Sequence, residues 1–320
     1  MVVERVTPEI DQGRYPIKRT PGERVEVEAD AFTDGHDAVT TILLYRPSDK
    51  KQYSVTEMEP LVNDRWRASF VVDDVGHYKY TVWAWVDHYK SWTRDLAKRI
   101  EAGQDITVDR TIGAELVEEA ASRAEERHAT MLLSFAEGLR DMDRPIKRVL
   151  TPQLNRLMAA YPDRRFATKY KHELDVVVDR ERARFSAWYE LFPRSWSSEP
   201  GAHGTFRDVI ANLPYVSRMG FDILYLPPIH PVGRTHRKGI NNTVVAESDD
   251  VGSPWAIGGP EGGHKSIHPA LGTFEDFDAL VKAAADHNME IALDIAFQCS
   301  PDHPYVKEHP EWFKHRPDGT

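Results

Sequence analysis

The hydrophobic period changes along this chain, and that change limits the folds that the sequence can adopt. Up to about residue 100, short runs alternate apolar and polar residues, as in Val25–Ala29 and Trp66–Phe70. From about Gly113 to Arg140, apolar residues recur every three to four positions. Beyond about residue 185, apolar runs alternate with helical patterns. Because these periods indicate strands, helices and parallel βαβ units respectively, the sequence predicts a multidomain protein.

The first three predicted segments precede the βαβ region. Residues 1–110 are predicted to form an antiparallel, immunoglobulin-like β-sandwich, because turn formers separate short strands. Residues 111–172 are predicted to form a helical hairpin insert, which is either an interdomain spacer or a dimerisation element. Its second helix spans about Ile146–Tyr161, and Thr151 is positioned to cap part of it. Residues 173–184 form a linking strand.

The last predicted segment, residues 185–320, contains about three strands of a parallel sheet, either a barrel or a doubly wound sheet. Helices are predicted over Phe206–Met219 and Phe274–His287. Thr273 and Asp276 form a capping-box pattern at the start of the second helix. Active sites of both parallel architectures lie at the carboxyl ends of the strands, so the residues after each strand are the candidates for chemistry.

Composition excludes several classes of protein. A net charge of −10 argues against a general nucleic-acid binder. No apolar run approaches the roughly 18 residues of a membrane-spanning helix, and no signal peptide is visible. Cys299 is the sole cysteine, which excludes an internal disulfide framework and suits a reducing compartment. We therefore expect a cytoplasmic protein.

The chemistry-bearing residues concentrate after the predicted strands. Asp294 is the clearest polar residue in an apolar strand, and it is either a catalytic-site acid or a structural acid that ties strands together. The loop Gly233–Asn242 carries Arg, Lys and Asn residues that suit phosphate and sugar oxygens, or is a solvated turn. Trp83, Trp85 and Trp92 either stack on sugar rings or, more often for such a pattern, pack the sheet.

Other patterns argue against cofactors. The glycine-rich segment Gly258–Ser266 has His264 where a phosphate-binding loop needs lysine, so we interpret it as a flexible loop. No dinucleotide fingerprint follows the first parallel strand. Histidines concentrate in the last third of the chain, but they lack the spacing of a metal site. Cys299 has no evident histidine–acid arrangement that would make it a nucleophile. The sequence thus predicts no cofactor and no metal.

Three strings resemble the α-amylase superfamily, glycoside hydrolase family 13: Glu190–Ser195, Gly220–Pro228 and Asp294–Cys299 look like its first three barrel strands. The usual third-strand pattern ends in Asn-His, where this chain has Gln298 and Cys299. Longer strings closely resemble the bacterial α-1,4-glucan:maltose-1-phosphate maltosyltransferases, namely Arg237–Asn242, Gly262–Pro269 and Asp294–Pro304. The order of the segments does so too, and the likeness covers nearly the whole chain.

The resemblance implies that residues 185–320 are the first part of a (β/α)8 barrel. It further implies a retaining transferase that moves maltosyl units from α-maltose 1-phosphate to the non-reducing end of an α-1,4-glucan and releases phosphate. Members are cytosolic homodimers. By position, Lys238, Asn242 and Gln298 match contacts to the donor sugar, Ser253 lies beside the donor phosphate, and Asp294 shapes the sugar subsite.

The same resemblance implies that the catalytic pair is absent. Retaining transfer needs a carboxylate nucleophile and an acid/base carboxyl about 5–5.5 Å apart. The family carries them on strands four and five, with a further acid after strand seven, and none of these motifs occurs here; Gly22–Glu26 is a near match inside the sandwich that ends in glutamate. A complete barrel takes roughly 250 residues, about twice the length that follows residue 184. We therefore expect an N-terminal portion, with its nucleophile and acid/base beyond Thr320, that is inactive alone.

Two alternatives remain open from the sequence. One is a related α-amylase-superfamily hydrolase or isomerase. The other is a non-catalytic fragment that mediates dimerisation or glucan binding through the sandwich and hairpin.

Overall fold

A computed structural model describes residues 1–319, and the chain divides into two compact units, Met1–Arg184 and a second unit that begins at Phe185. Unit 1 carries ten strands: β1 (Val2–Thr7), β2 (Ile17–Arg19), β3 (Glu23–Phe32), β4 (Val39–Pro47), β5 (Ser54–Glu57), β6 (Glu59–Pro60), β7 (Arg65–Val72), β8 (Gly76–Val86), β9 (Thr168–Lys169) and β10 (Leu174–Val178). Its helices are α1 (His88–Glu101), α2 (Thr107–Ala121), α3 (Glu126–Arg140), α4 (Pro152–Ala160) and α5 (Glu181–Arg184), with a 3₁₀ turn over Ile146–Arg148.

The strands of unit 1 form two sheets around one core. One sheet has the order β1-β3-β7-β6, and the other has the order β2-β10-β8-β4-β5 with β9 paired to β8. Alternate residues of β3, such as Val25, Val27 and Ala29, are fully buried. They share a hydrophobic cluster with Leu43 of β4 and Tyr80 of β8. The period of two therefore places one face of each sheet in the core.

The sequence predicts a linking strand over residues 173–184, but residues 174–178 are an internal strand of a sheet. They form β10, which lies between β2 and β8, parallel to the former and antiparallel to the latter. Leu174, Val176 and Val178 are buried in the sheet core. The reason is their alternation with polar or half-buried positions, which gives the strand one apolar face to cover.

The helical part of unit 1 also differs from the prediction. The strands end at Val86, and α1 occupies part of the range that the sequence assigned to the sandwich. The Asp87 side chain caps α1 by accepting from the Lys90 amide at 2.9 Å, and Trp92 and Leu96 bury one face. The predicted continuous helix is divided into α2 and α3 at residues 122–125, so the predicted two-helix hairpin is wrong and a four-helix cluster replaces it.

The tryptophans of unit 1 contribute mainly to packing. Trp85 and Trp92 are buried, and the Trp92 indole donates to the Asp109 carbonyl at 2.8 Å. The Lys169 ammonium lies 4.0 Å from the centre of the Trp83 ring. These positions favour the packing interpretation over exposed sugar-stacking platforms.

Unit 2 is built on a parallel sheet with the order β11-β12-β13. Its elements are β11 (Trp188–Glu190), α6 (Phe206–Arg218), β12 (Ile223–Leu226), α7 (Phe274–Asp286), β13 (Glu290–Leu293) and α8 (Pro304–Glu308), with 3₁₀ turns at Pro193–Ser195, Ile240–Asn242 and Pro310–Trp312. Both pairings are parallel, which confirms the predicted βαβ pattern. Thr205 and Thr273 begin α6 and α7 with reciprocal capping boxes, and the second of these was predicted.

Among residues 1–319, no helix combines the length and the apolar character needed to span a bilayer.

Candidate functional site

The carboxyl ends of the three parallel strands lie at one edge of the unit 2 sheet. Just after β11, the Leu191 amide donates to the Tyr225 carbonyl at 3.1 Å. Just after β13, the Asp294 amide donates to the Leu226 carbonyl at 2.9 Å. Because parallel strands align their ends, the residues that follow them come together at this edge.

Asp294 is the first residue after β13, so it lies at the sheet edge rather than within the strand. Its half-buried carboxylate accepts a hydrogen bond from the Trp255 indole at 2.6 Å. The Trp255 ring in turn packs edge-on against Phe192, with 5.9 Å between ring centres. Burial raises the pKa of the Tyr225 phenol, and the neighbouring Asp294 carboxylate raises it further. The acid is thus held in one orientation by the loop after β12.

Trp255 is a site residue that the sequence analysis missed. It lies in a loop without periodicity, 39 positions before Asp294, so no local pattern indicates the contact. The predicted Ser253 is two positions earlier and half-buried, and its carbonyl accepts from the Ala256 amide at 3.0 Å. This turn carries Ser253 and the indole that holds Asp294.

The predicted Lys238 directly precedes one tight turn, and Asn242 lies within that turn. The Gly239 amide donates to the Thr243 carbonyl at 2.9 Å, and both predicted side chains are exposed. Asn241 and Asn242 have left-handed backbones, with φ of 54° and 63°, which asparagine tolerates better than most residues. A Cβ on Gly239 would lie 2.3 Å from the Val245 carbonyl oxygen, so the turn needs glycine there.

The two arginines of this loop are engaged in holding it together. Arg237 donates to the carbonyls of Val232, Gly233 and Asp250 at 2.9–3.0 Å. Arg234 pairs with Glu261 at 2.9 Å. Lys238 makes no hydrogen bond or ion pair with any residue from 1 to 319, so its ammonium is available to a ligand.

A cleft of about 690 Å³ opens beside these arginines. Arg234, Arg237, Glu247, Glu261 and His268 contribute to its wall, which therefore carries both signs of charge. The five predicted site residues lie outside this wall, so the cleft is a neighbour of the candidate site rather than the site itself.

Gln298 lies in the extended segment after β13 and is exposed. Next to it, burial raises the pKa of the Cys299 thiol, which disfavours the thiolate needed for nucleophilic attack. The structure therefore places Asp294 and Gln298 on the segment after β13, holds Asp294 against the turn that carries Ser253, and puts Lys238 and Asn242 at a separate turn. Within the described chain, no hydrogen bond joins the five side chains to one another.

The glycine-rich segment Gly258–Ser266, which was predicted to be a flexible loop, is held by backbone hydrogen bonds. The Gly258 amide donates to the Pro231 carbonyl at 2.7 Å, and Gly259 and Gly262 exchange amide hydrogen bonds at 2.9 and 3.0 Å. The segment brings His264 against His303 and His230, with ring centres 5.0 and 5.5 Å away, and no sequence pattern indicated this contact. In the part of the chain that the structure covers, no group of three or more His, Cys, Asp or Glu side chains could hold a metal ion.

Two family profiles match the chain in succession. Residues 1–180 match the profile described as α-1,4-glucan:maltose-1-phosphate maltosyltransferase, domain N/S. Residues 190–317 match the α-amylase catalytic domain. Unit 2 is thus an α-amylase-like region that follows a β-rich region with helices.

Relatives carrying the maltosyltransferase name match the chain from end to end. The protein of Chlorobaculum tepidum is 52% identical over 323 residues, covering 100% of this chain and 48% of that protein. The protein of Myxococcus xanthus is 48% identical over 328 residues, covering 99% of this chain and 49% of that protein. The chain therefore spans about half the length of the curated relatives it matches.

Among solved structures, an α-amylase from Lactobacillus plantarum is 38% identical with a TM-score of 0.35, covering 42% of this chain and 28% of that one. The profile match over residues 1–180 takes in more than half of the chain. By that match and by its relatives, the chain belongs to the α-1,4-glucan:maltose-1-phosphate maltosyltransferase family.

Proposed function

We propose that this chain supplies the donor-binding part of a retaining maltosyltransferase, which moves maltosyl units from α-maltose 1-phosphate to α-1,4-glucan and releases phosphate. The observation that carries the proposal is the Asp294 carboxylate, held by Trp255 at the carboxyl edge of the parallel sheet in a chain of this family. Lys238, Asn242 and Gln298 are assigned to the donor sugar, Ser253 to its phosphate, and Asp294 to the shape of the sugar subsite.

The chemistry of these side chains supports the assignment. Lys238 offers an unpaired ammonium, Asn242 and Gln298 offer exposed amides, and Asp294 offers a fixed acceptor. Sugar hydroxyls donate and accept hydrogen bonds, so such a mixture suits a phosphorylated disaccharide. The nucleophile and the acid/base are assigned to no residue of this sequence, because the motifs of the family's fourth, fifth and seventh strands do not occur in it.

The proposal also covers the fold type of each unit and the state in which the enzyme works. The two sheets of unit 1 are assigned to an immunoglobulin-like β-sandwich, and β11–β13 to the first strands of a (β/α)8 barrel. The enzyme is proposed to work in the cytoplasm as a homodimer through unit 1. Light scattering coupled to size-exclusion chromatography tests the dimer, and a monomer at micromolar concentration would contradict it.

Titration calorimetry with α-maltose 1-phosphate and with maltose tests the donor site on this chain. Lys238→Ala is expected to weaken both ligands about ten- to hundredfold, because a hydrogen bond to a charged group contributes about 1.5–3 kcal/mol. Ser253→Ala is expected to weaken the phosphorylated ligand more than maltose. Lys265→Ala, an exposed lysine of the glycine-rich segment, is the matched control. Unchanged affinity in Lys238→Ala would contradict the assignment.

A turnover assay tests the division of labour. The 320-residue chain, given α-maltose 1-phosphate and glycogen, is expected to release no phosphate. Robust release would show that the catalytic carboxylates lie within the chain. A full-length version acting on starch or trehalose, and not on maltose 1-phosphate, would favour a hydrolase or an isomerase instead.

A further inference from the structure

His303 is a buried histidine at the start of α8 that the proposed reaction does not use. Its side chain is 2% exposed. The glycine-rich segment encloses it closely: a Cβ on Gly258 would lie 2.5 Å from the His303 Cβ, and one on Gly263 would lie 2.1 Å from its Nε2. The His303 imidazole is therefore closely packed, and it can form hydrogen bonds only with the protein groups that surround it.

Those hydrogen bonds fix the proton positions on His303. The Tyr305 amide donates to the His303 Nδ1 at 3.0 Å, so this nitrogen carries no proton. A neutral imidazole then carries its proton on Nε2. That nitrogen lies 3.0 Å from the His264 Nδ1, and it donates to it.

The proton position on His264 follows from that on His303. Its Nδ1 accepts from His303, so its own proton is on Nε2, which donates to the Ala296 carbonyl at 2.7 Å. The His264 amide is also 3.4 Å from the His303 Nε2, but this contact is longer. If the His303 Nε2 accepted this amide, the proton of His303 would have to be on Nδ1. That ring N–H would then face the Tyr305 N–H. Only the first assignment satisfies the three short contacts.

The hydrogen bond to Ala296 acts on the segment that carries Gln298. Within residues 1–319, the amides at the two ends of the segment are held: Asp294 donates to Leu226 at 2.9 Å and Ser300 donates to Ile257 at 2.7 Å. Residues 295–299, between those anchors, make no backbone-to-backbone hydrogen bond to other described residues. The imidazole of His264 therefore restrains the middle of the segment, two residues before Gln298.

We infer that His264 is a positioning residue: through the neutral His264–His303 pair, it fixes the segment that presents Gln298 to the donor sugar. The inference rests on the proposed function, since Gln298 is a donor contact only there. A second proton on His303 would have to sit on Nδ1, where it would face the Tyr305 N–H and break that hydrogen bond.

The charged and titratable neighbours favour the neutral form of His303. Burial lowers the pKa of His303, nearby His264 lowers it further, and Glu308 on α8 opposes this. The third histidine, His230, faces His264 from the loop after β12, and its Nδ1 donates to the Ser266 carbonyl at 2.9 Å. The Tyr305 ring packs on His303 with 4.6 Å between ring centres. Burial and the Tyr305 amide therefore both favour the neutral form of His303.

Amide hydrogen exchange by mass spectrometry, on the whole chain at pH 7.5, tests the positioning directly. His264→Ala is expected to speed exchange of the Asp294 and Ser300 amides, which anchor the two ends of the segment, about tenfold, because it removes the hydrogen bond that holds the middle. His264→Gln keeps an N–H near the Nε2 position, so it is expected to restore this protection. His315→Gln, an exposed histidine, is the control.

Calorimetry with α-maltose 1-phosphate supplies the second readout. His264→Ala is expected to bind about tenfold more weakly at pH 7.5, and His264→Gln to bind like the native chain. Unchanged exchange in His264→Ala, or exchange in His264→Gln that stays as fast as in His264→Ala, would overturn the inference. Normal exchange results with no donor binding by the native chain would instead reject the proposed function.

Discussion

The two units of this chain use their apolar residues in different ways. In unit 1, the inner faces of two sheets meet in one core, and β3 and β8 are paired on both sides. In unit 2, β13 pairs with β12 alone among the described residues, and Ile295 and Phe297 just beyond it are 69% and 94% exposed. Unit 1 therefore buries the apolar faces of its own strands. In unit 2, by contrast, apolar side chains remain exposed next to the candidate site residues.

Separate expression of the two units should give the largest difference. Residues 1–184 alone are expected to unfold in one cooperative transition, because their core is enclosed by their own strands. Residues 185–320 alone are expected to bind a hydrophobic dye and to aggregate, because of the open β13 edge. Calorimetry, dye fluorescence and light scattering measure this. A soluble second fragment with a sharp melt would remove the contrast between the units.

Truncating one leucine in each unit should give the next largest difference. Leu43 is fully buried in the unit 1 core, so Leu43→Ala should lower the free energy of unfolding by about 2–5 kcal/mol. Leu293 in β13 is 39% exposed, so Leu293→Ala should cost less than about 1 kcal/mol. Urea unfolding followed by circular dichroism measures both. Equal costs would show that β13 is covered in solution.

Helix caps offer a smaller and more local comparison. Thr205 begins α6 with a reciprocal capping box, whereas Thr151 begins α4 with a single side-chain bond of 3.3 Å to the Leu154 amide. Thr205→Ala should cost about 1–2 kcal/mol and Thr151→Ala about 0.5–1 kcal/mol in unfolding free energy. Serine at either position retains the hydroxyl and serves as the control. The reverse order would mean that the reciprocal bond adds nothing.

Mild acid should have the smallest effect, and mainly on unit 2. Burial lowers the pKa values of His230, His268 and His303 below the ordinary 6.5. The unfolded chain then binds protons first, so this stability is present above pH 6.5 and is lost as the pH falls toward the folded pKa values. In unit 1, hydrogen bonds from Arg165 lower the pKa of Asp163 to about 2, so its contribution persists to much lower pH.

Urea midpoints at pH 7.5, 6.5 and 5.5, read by hydrogen exchange in peptides of each unit, measure this difference. A decrease confined to unit 2 is the expected outcome. Equal losses in both units would show that the buried histidines are not responsible.

Local patterns predicted much of unit 2. The apolar runs indicated the parallel strands, and Thr273 with Asp276 indicated a helix start, because a capping box joins residues three positions apart. Unit 1 was predicted less well. Residues 122–125, which divide α2 from α3, contain no glycine or proline, and α1 follows β8 directly after Asp87. Without such breakers, periodicity alone gives no boundary.

By itself, the sequence determined the order of strands and helices in unit 2, the presence of Gln298 after the third parallel strand, and the turn formers around Lys238 and Asn242. Each of these depends on neighbours a few positions away. Tertiary structure alone decided that β10 lies inside the sheet of β2 and β8, that Trp255 holds Asp294, and that His264 meets His303. Those last two contacts each join side chains 39 positions apart, and only the packing of the whole unit sets which distant groups lie within hydrogen-bond distance.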